Sequence, residues 1–346
     1  MAMQHYDVVA LFSGGLDSII AAKVVQEQGR SVKALHFTSP FFGKPHLIPK
    51  WQEMYGIDIE AVDVGEEYAR LMLDPPHGFG KVLNPCVDCK ILMLRRARIR
   101  MAELGARAII SGEVLGQRPM SQRRDALNII SRDAGVRDVL VRPLCAKRLP
   151  PTPPEEAGVL DRDRLLNISG RGRKEQLALA GKYKLPEIPT PAGGCMLAEV
   201  ESAKRYWPVL KWGDTPSARD FELANLGRQF WKRDNWLTVG RDQADNERIE
   251  SLAAPGDLLF KVKDFPGPLC LGRQWPGRAW TPEAVREAAA LTARYCTKAR
   301  RHGGEVAVLV ASGGETAEVH VEPCEPAGWG TPEWETAKEE LAATRT

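Results

Sequence analysis

Residues 6–18 read YDVVALFSGGLDS. The apolar run from Tyr6 to Phe12 predicts a short buried strand, and residues 18–28 have the composition of a helix that stops at Gly29. A glycine-rich turn between a strand and a helix brings together unpaired amide N–H groups and the positive end of the helix dipole. The sequence therefore predicts an anion-binding loop at residues 13–18, suited to a phosphate group.

The residue types of this loop fit that chemistry. Gly14 and Gly15 let the backbone approach a phosphate closely, while Ser13 and Ser18 add hydroxyl donors. Asp17 is placed to hold a metal ion or to orient a nucleotide. The Gly-Lys-Ser/Thr ending of a Walker A loop is absent. An ordinary strand-to-helix turn is the structural alternative.

The bulk composition indicates a soluble, cytoplasmic protein of more than one domain. The chain has 346 residues, no apolar run long enough for a membrane span and no signal-peptide pattern at its start. Its net charge of +3 is unevenly distributed, because residues 301–346 contain nine acidic and three basic residues, whereas residues 1–300 contain 36 acidic and 45 basic residues. A basic body suits a polyanionic partner without proving one.

Strand and helix patterns alternate after the loop. Strands are predicted at 32–37, 57–64, 106–111 and 139–144, and helices at 46–55, 88–104 and 172–184. This alternation predicts an α/β fold with a doubly wound parallel sheet, whose ligands bind at the carboxyl ends of the strands. We place the end of this domain near residue 212.

The second half predicts a smaller α+β domain over residues 213–325. Strands are expected at 236–241 and 257–262, a helix at 281–300 begins at the N-cap Thr281, and a hairpin joins 305–311 to 317–321. The acidic residues 326–346 are expected to be a partly disordered tail.

Three of the seven cysteines are candidates for chemistry. Cys86 and Cys89 form a CxxC pair at the start of a predicted helix, where the helix dipole is expected to acidify both thiols. Together with Cys195 they could hold three corners of a 4Fe-4S cluster and leave the fourth iron open to sulfide. A redox pair that carries a persulfide is the chemical alternative. The structural alternative is that these cysteines only pack against apolar neighbours. The other four cysteines are expected to be packing residues.

Several motifs together resemble one superfamily. The SGGLDS loop resembles the signature of the PP-loop ATP pyrophosphatases, which have a HUP-like fold and split ATP between its α and β phosphates. The NPCVDCK segment at 84–90 is similar to the tRNA-thiolating branch, which includes the 2-thiouridylases and 4-thiouridine synthases. GEVLGQ at 112–117, SGRGRK at 169–174 and PAGGC at 191–195 resemble segments of the synthases.

The chain departs from the 4-thiouridine synthases in two respects. Those enzymes carry a THUMP RNA-binding module before the PP-loop, and some carry a rhodanese domain, whereas this sequence contains neither. Residues 239–246, 256–260 and 263–268 instead resemble the RNA-binding module of the NFACT family. We therefore expect the second domain to hold RNA, with a small capping domain as the alternative.

The resemblance implies an ATP-dependent tRNA sulfurtransferase. ATP would place its phosphates on residues 13–18 and its adenine near His36 and Phe37, with Mg²⁺ neutralising the phosphates. A base carbonyl would be adenylated, and sulfide held at the three cysteines would displace AMP. Gly112, Glu113 and Gln117 would orient the nucleotide or the base. The candidates for phosphate or RNA contacts are Lys90, Arg171, Arg173, Lys174 and Arg241.

Other functions compete with this one. A PP-loop amidotransferase or ligase would adenylate a small molecule without RNA, but it leaves the CxxC pair unexplained. A non-catalytic RNA-binding protein is less consistent with the intact SGGLDS loop. The sequence does not determine which nucleotide is thiolated, whether the sulfur donor is sulfide or a cysteine desulfurase, or the oligomeric state, for which a homodimer is one candidate.

Overall fold

The computed structural model describes residues 5–189 and 195–343. The chain divides into two compact units, Met1–Met196 and Leu197–Thr346. Within the described residues, every helix is too short or too polar to cross a membrane.

The first unit alternates strands with helices. Its elements are β1 (Val8–Leu11), α1 (Leu16–Gln26), β2 (Val32–Thr38), α2 (Ile48–Tyr55), β3 (Asp58–Asp63), α3 (Gly65–Leu73), α4 (Cys86–Glu103), β4 (Ala108–Ser111), α5 (Arg124–Asp133), β5 (Leu140–Val141), α6 (Pro153–Glu156) and α7 (Lys174–Lys182).

All neighbouring strands of this unit run parallel, in the order β3-β2-β1-β4-β5. Val8 is paired with Val32 on one side and with Ala108 on the other, so β1 is the central strand. The strand order reverses between β1 and β4. Ligands of open α/β sheets bind outside the carboxyl ends of the strands at such a reversal, and the predicted phosphate loop follows β1 directly.

Helices cover both faces of this sheet. Val8 and Ala10 pack with α1, α2 and α7, whereas Val9 and Leu11 pack with α4 and α5. Because successive strand residues point to opposite faces, a strand buried on both sides has to be apolar at every position, as β1 is. The predicted doubly wound sheet is therefore confirmed.

The second unit contains an antiparallel sheet of six strands in the order β11-β10-β8-β9-β7-β6. Its elements are α8 (Val200–Trp212), α9 (Ala218–Asn225), β6 (Arg228–Lys232), β7 (Asn235–Val239), α10 (Gln243–Ser251), β8 (Leu258–Val262), β9 (Cys270–Arg273), α11 (Pro282–Tyr295), α12 (Thr297–His302), β10 (Val306–Ser312), β11 (Glu315–Val321) and α13 (Trp334–Ala343). The core lies between α11 and the sheet. The expected α+β class is confirmed.

The single helix expected at 281–300 is two helices. Cys296 separates α11 from α12 with an extended backbone (φ −87°, ψ 104°). The Cys296 thiol is buried and donates to the Pro266 carbonyl at 3.4 Å. This contact with a residue outside both helices determines where α11 ends.

The division between the units differs from the expected boundary near residue 212. Helix α8 lies in the second unit, where Arg205 donates to the carbonyls of Ala224 (2.9 Å) and Gly227 (2.8 Å). The acidic tail also differs from expectation, because residues 334–343 form α13. Its Glu340 accepts a hydrogen bond from the Trp207 indole of α8 at 2.7 Å, and Leu341 is buried. Long-range packing thus orders a segment whose local sequence is polar.

Candidate active site

The predicted phosphate loop is a strand-to-helix turn with an open helix end. Gly15 is the N-cap of α1, and no side chain caps the first amides. The Ser18 hydroxyl donates to the Gly15 carbonyl at 2.8 Å, which holds the turn closed. Gly14 has φ +76°, and a Cβ there would lie 2.6 Å from the Trp51 ring. The loop therefore requires glycine at position 14 and presents the α1 amides to an anion.

Asp17 presents an unsatisfied oxygen at this loop. Its Oδ2 accepts a hydrogen bond from Gln117 Nε2 at 3.1 Å, while its Oδ1 is buried without a partner. Burial raises the pKa of Asp17, and the hydrogen bond from Gln117 and the charge of Arg173 oppose that rise. A buried carboxylate oxygen without a donor fits a cation such as Mg²⁺, which prefers oxygen ligands.

A second loop, residues 112–122 after β4, lies directly against α1. A Cβ on Gly112 would lie 2.6 Å from the Asp17 carbonyl carbon and 2.7 Å from the Ser18 nitrogen. Gly112 therefore allows a backbone approach that any side chain would prevent. This approach places Gln117 beside Asp17.

The start of α7 completes this side of the site. Gly170 donates its backbone N–H to the Leu115 carbonyl at 2.7 Å, so the 169–174 segment is bonded to the second loop. On α7, the amide of Gln176 is fully buried and neither its nitrogen nor its oxygen has a partner. Although Gln176 is not in hydrogen-bonding geometry with Asp17, its amide and the charge of Arg173 both lower the pKa of the Asp17 carboxyl.

The CxxC pair lies at the N-terminal end of α4. The Asn84 side-chain amide donates to Cys86 Sγ at 3.1 Å. Burial raises the pKa of Cys89 to about 12, although a hydrogen bond from the Tyr68 hydroxyl opposes the rise. The expectation that the helix dipole acidifies both thiols is therefore wrong for Cys89, because desolvation outweighs the dipole there.

All three candidate cysteines act on one buried hydroxyl. Burial raises the pKa of Tyr68 well above its usual value, and the thiols of Cys89, Cys195 and Cys86 raise it further. Backbone pairing explains how distant Cys195 comes here, since the next residue donates its N–H to the Phe41 carbonyl at 2.9 Å and the Phe41 ring lies 5.4 Å from that of Tyr68. The predicted turn at 191–194 lies outside the described residues.

The thiol cluster and the phosphate loop are neighbours. The Asn84 amide that contacts Cys86 also contacts the sulfur of Met120 at 3.5 Å, and Met120 belongs to the second loop, 112–122. The same loop donates to Asp17 through Gln117. One loop therefore contacts the candidate ATP site and the candidate sulfur site.

Two family models match the chain in the two units. Residues 4–148 match the family described as thiamine biosynthesis protein (ThiI), and residues 227–331 match the NFACT protein RNA binding domain. We call the matched segment, residues 4–148 of the first unit, the ThiI domain. The resemblance to the tRNA-thiolating branch of the PP-loop superfamily, and the resemblance of the second domain to NFACT, are both confirmed.

Curated relatives agree with the ThiI match. A probable tRNA sulfurtransferase from Thermococcus kodakarensis is 29% identical over 189 residues, which is 53% of this chain and 45% of the relative. Another from Methanothermobacter thermautotrophicus is 28% identical over 54% of this chain and 43% of the relative. The chain thus spans less than half the length of these relatives. A solved structure of a predicted tRNA methyltransferase subunit from Methanocaldococcus jannaschii has a TM-score of 0.30 and 16% identity, covering 40% of this chain and 68% of that one.

Glu113 of the ThiI domain lies in a buried ion pair. Its Oε2 accepts from Arg142 Nε at 2.9 Å and from the Ser111 hydroxyl at 2.9 Å, while its Oε1 is buried without a partner. Burial would raise the pKa of Glu113, but the charges of Arg142 and Lys90 outweigh it and the pKa is lowered. Oε2 is therefore occupied by structural hydrogen bonds, and only Oε1 could orient a ligand.

His36 of the ThiI domain uses both ring nitrogens for structure. Its Nε2 accepts from the Lys44 backbone N–H at 2.8 Å, so Nδ1 carries the proton and donates to the Phe12 carbonyl at 3.0 Å. Burial lowers the pKa of His36, which keeps the ring neutral. The imidazole ties the loop after β2 to β1, and Phe37 is buried in the core, so any contact of these residues with adenine has to come from their backbone.

The basic residues predicted to contact phosphate or RNA fall into different surroundings. Arg173 acts on Asp17 in the ATP site, and Lys90 acts on both Glu113 and Cys89. Arg171 and Lys174 are exposed. In the second unit, Arg241 donates to Asp245 Oδ2 at 2.8 Å, and this bond raises its pKa.

Three residues of the candidate site were not predicted from the sequence. Trp51 packs against Phe12 with ring centroids 5.6 Å apart and forms a wall at Gly14. Gln176 shares the buried face of α7 with Ala180, so a polar residue at that helical spacing was the available signal. Tyr68 carried no such signal, because its role depends on cysteines from two distant segments.

Proposed function

We propose that this chain is an ATP-dependent tRNA sulfurtransferase, which adenylates a carbonyl oxygen of a tRNA base and replaces that oxygen with sulfur. The observation that carries the proposal is the second loop, which donates to Asp17 at the phosphate loop and contacts Asn84 beside Cys86. ATP cleavage and sulfur delivery must occur at one base, so the two sites have to be adjacent. The names of the curated relatives supply tRNA as the substrate class.

The first unit binds ATP through its phosphate loop. The first amides of α1 and the Ser13 hydroxyl bind the phosphates, and Arg173 adds positive charge on the side of Asp17. Mg²⁺ fits Asp17 because Oδ1 is buried and unpartnered, and it supplies charge that neutralises the phosphates as pyrophosphate leaves. Adenine lies against the β2 backbone near residues 36 and 37.

The thiols of Cys86, Cys89 and Cys195 form the sulfur site. The donor set suits a 4Fe-4S cluster, since iron–sulfur clusters are held by cysteine thiolates and three thiols from two segments all raise the pKa of Tyr68. The residues described contain no group of three or more Cys, His, Asp or Glu side chains that could hold a single metal ion, but the cysteines of a four-iron cluster each bind a different iron. A bound cluster supplies an open iron position for sulfide.

The reaction then has two balanced steps. In the first, the base carbonyl oxygen attacks the α phosphorus, an O–P bond forms, and pyrophosphate leaves with the broken P–O bond. In the second, sulfide adds to the activated carbon, the C–O bond to AMP breaks, and the proton of hydrogen sulfide passes to solvent. Preorganised positive charge at Arg173 stabilises the charge that develops in the first step.

The exposed basic residues and the second unit hold the tRNA in this proposal. Arg171 and Lys174 extend from the edge of the ATP site, where backbone phosphates of the substrate would pass. The match of residues 227–331 to an RNA-binding family supports a role for the second unit in binding.

The test is an anaerobic reaction of the full chain with ATP, Mg²⁺, sulfide and unmodified tRNA. Mass spectrometry of the nucleosides should show a thiolated base, and AMP and pyrophosphate should appear in equal amounts. Cys86→Ala, Cys89→Ala and Cys195→Ala should each lose product and bound iron, whereas the exposed Cys324→Ala should keep both.

Other results would change the proposal in distinct ways. Thiolation by an iron-free protein, with a persulfide detected on a cysteine, would replace the cluster by persulfide chemistry. Activity that requires a cysteine desulfurase instead of sulfide would identify the donor. AMP formation that no RNA stimulates would refute the sulfurtransferase proposal and favour a small-molecule ligase.

A further inference from the structure

A groove of about 300 Å³ lies on the second unit. It lies between α8, α13 and the turn that joins β6 to β7. Three tryptophans line it, Trp207 and Trp212 from α8 and Trp231 from β6, together with the basic side chains of Lys204, Lys211 and Arg233. Aromatic rings interleaved with basic groups are the pattern that proteins use to bind single-stranded nucleic acid.

The indole N–H of Trp231 is the sharpest sign of a ligand here. Trp231 is only 8% exposed, lines the groove, and its Nε1 is buried without an acceptor. The other buried indoles in the described part of the unit have acceptors: Trp236 donates to Gln229 at 2.6 Å, Trp275 to the Asp234 carbonyl at 3.1 Å, Trp280 to the Arg273 carbonyl at 3.2 Å and Trp329 to Glu287 at 2.9 Å. A buried donor without an acceptor is costly, so an acceptor on a bound molecule fits this position.

The Trp231 ring is also held rigidly. It stacks on Trp236 with centroids 4.9 Å apart and an interplanar angle of 9°, and Trp236 in turn stacks on Trp275 at 6.0 Å. A ring fixed in this way loses little conformational entropy when a second planar group binds beside it.

Basic side chains outnumber carboxylates in the groove lining by three to two, and Lys204 is also ion-paired with Glu201 at 2.5 Å. Glu340 accepts from Trp207 at 2.7 Å and from the ammonium group of Lys211, so its charge is already compensated. Glu333 is the other carboxylate of the lining. Arg233 is exposed and occupies a left-handed backbone conformation (φ +54°) that glycine or asparagine would adopt at lower cost, and this conformation sets where its side chain leaves the turn.

We infer that this groove binds a short single-stranded segment of RNA, with a base stacked on the tryptophans, its acceptor on Trp231 Nε1, and backbone phosphates on Lys204 and Arg233. The NFACT-type match ends before α13 and begins after α8, so most of the groove lining comes from helices outside the matched module. The choice of RNA rests on the proposed function. An acidic peptide would use the same charges, but it offers no planar base for the rings.

The test measures binding of fluorescent single-stranded RNA 10-mers to the full chain by anisotropy. Trp212→Ala should raise the Kd by roughly 5- to 150-fold, the range expected for loss of one base-stacking contact. Trp231→Phe keeps a ring but removes the donor, and it should weaken binding without unfolding the protein. Lys204→Ala combined with Arg233→Ala should reduce the slope of log K against log salt by about 1.4. Lys298→Ala, an exposed lysine outside the groove, is the matched control.

The outcomes separate this inference from the proposed function. Unchanged RNA affinity in Trp212→Ala and Trp231→Phe would overturn the inference even if the wild-type enzyme thiolates tRNA. Groove-dependent binding of an aspartate-rich peptide, with no groove-dependent binding of RNA, would overturn it in favour of a protein partner. Groove-dependent RNA binding by an enzyme that forms no AMP would support the inference and refute the proposed function alone.

Discussion

The contact between Gly112 and helix α1 sets the distance between the phosphate loop and the second loop, and Gly112→Ala tests its importance. The φ angle of Gly112 lies outside the left-handed region, so alanine is compatible with its backbone conformation. The added Cβ would lie 2.6 Å from the Asp17 carbonyl carbon and 2.7 Å from the Ser18 nitrogen, whereas ordinary contacts begin near 3.4 Å. The two loops must therefore separate by about 0.8 Å.

The free-energy cost of this separation depends on the atoms that surround Gly112. The atoms that clash are backbone atoms of the first turn of α1, which cannot rotate away as a side chain would. Inserting a methyl group into such a contact costs about 1–3 kcal/mol, and the lower chain entropy of alanine returns about 0.4–1 kcal/mol. At the middle of these ranges the net cost is about 1.3 kcal/mol, so we expect the Tm to fall by about 3–5 °C. Moving Gln117 relative to Asp17 should slow ATP cleavage by about 10- to 100-fold.

The assay compares Gly112→Ala with Gly181→Ala. Gly181 lies in α7, and a Cβ on it would meet no heavy atom within 4 Å outside its own helix, so alanine there should raise the Tm slightly through helix propensity. Differential scanning fluorimetry gives the Tm, calorimetry gives the ATP Kd, and release of AMP gives the rate. A Gly112→Ala protein with the wild-type Tm and rate would refute the argument that this contact positions the loops.

Three further substitutions test other contacts of the site. Gln176→Leu should raise the Tm of the ATP-free protein by a few degrees, because it removes a buried amide without partners, and should shrink the Tm shift caused by ATP; a lower Tm with an unchanged shift would contradict this. Arg173→Ala should slow ATP cleavage about tenfold without altering the salt dependence of RNA binding, whereas Lys174→Ala should reduce that dependence. Glu113→Gln should lower the free energy of unfolding at pH 7 by about 3–5 kcal/mol, because Arg142 is left buried without its counter-charge. Since the pKa of Glu113 is lowered by folding, its contribution is present above the unfolded pKa and lost as pH falls through the folded one, so urea titrations of wild type and variant should converge in acid.

Short-range sequence patterns were sufficient where residues close in the sequence determine the local structure. The apolar run before Ser13 and the glycines after it define β1, the loop and α1 without help from the rest of the chain. The hairpin between β10 and β11 was predicted for the same reason, because Gly313 and Gly314 both adopt positive φ, at +58° and +87°.

Long-range contacts explain what the sequence could not show. Strand β5 is only two residues long, and its identity depends on pairing with β4. The sequence indicated that Arg173 was either solvated or bound to RNA. The hydrogen bond from the Gly170 N–H to the Leu115 carbonyl instead places Arg173 near Asp17. The thiol of Cys89 read as acidic from its place on a helix, whereas the burial that raises its pKa comes from residues in other segments.

The topology of the first unit explains why segments so distant in sequence meet. In a doubly wound sheet the helices run antiparallel to the strands, so helix N-termini and strand C-termini share one edge. The phosphate loop after β1, the second loop after β4 and the CxxC pair at the start of α4 all lie at that edge for this reason. The order reversal between β1 and β4 then leaves an opening between the first two, and Met120 extends from the second loop to Asn84 beside the thiols. We therefore expect a change at Asp17 to alter the position of this loop beside Asn84, because the close contact at Gly112 holds the loop against α1.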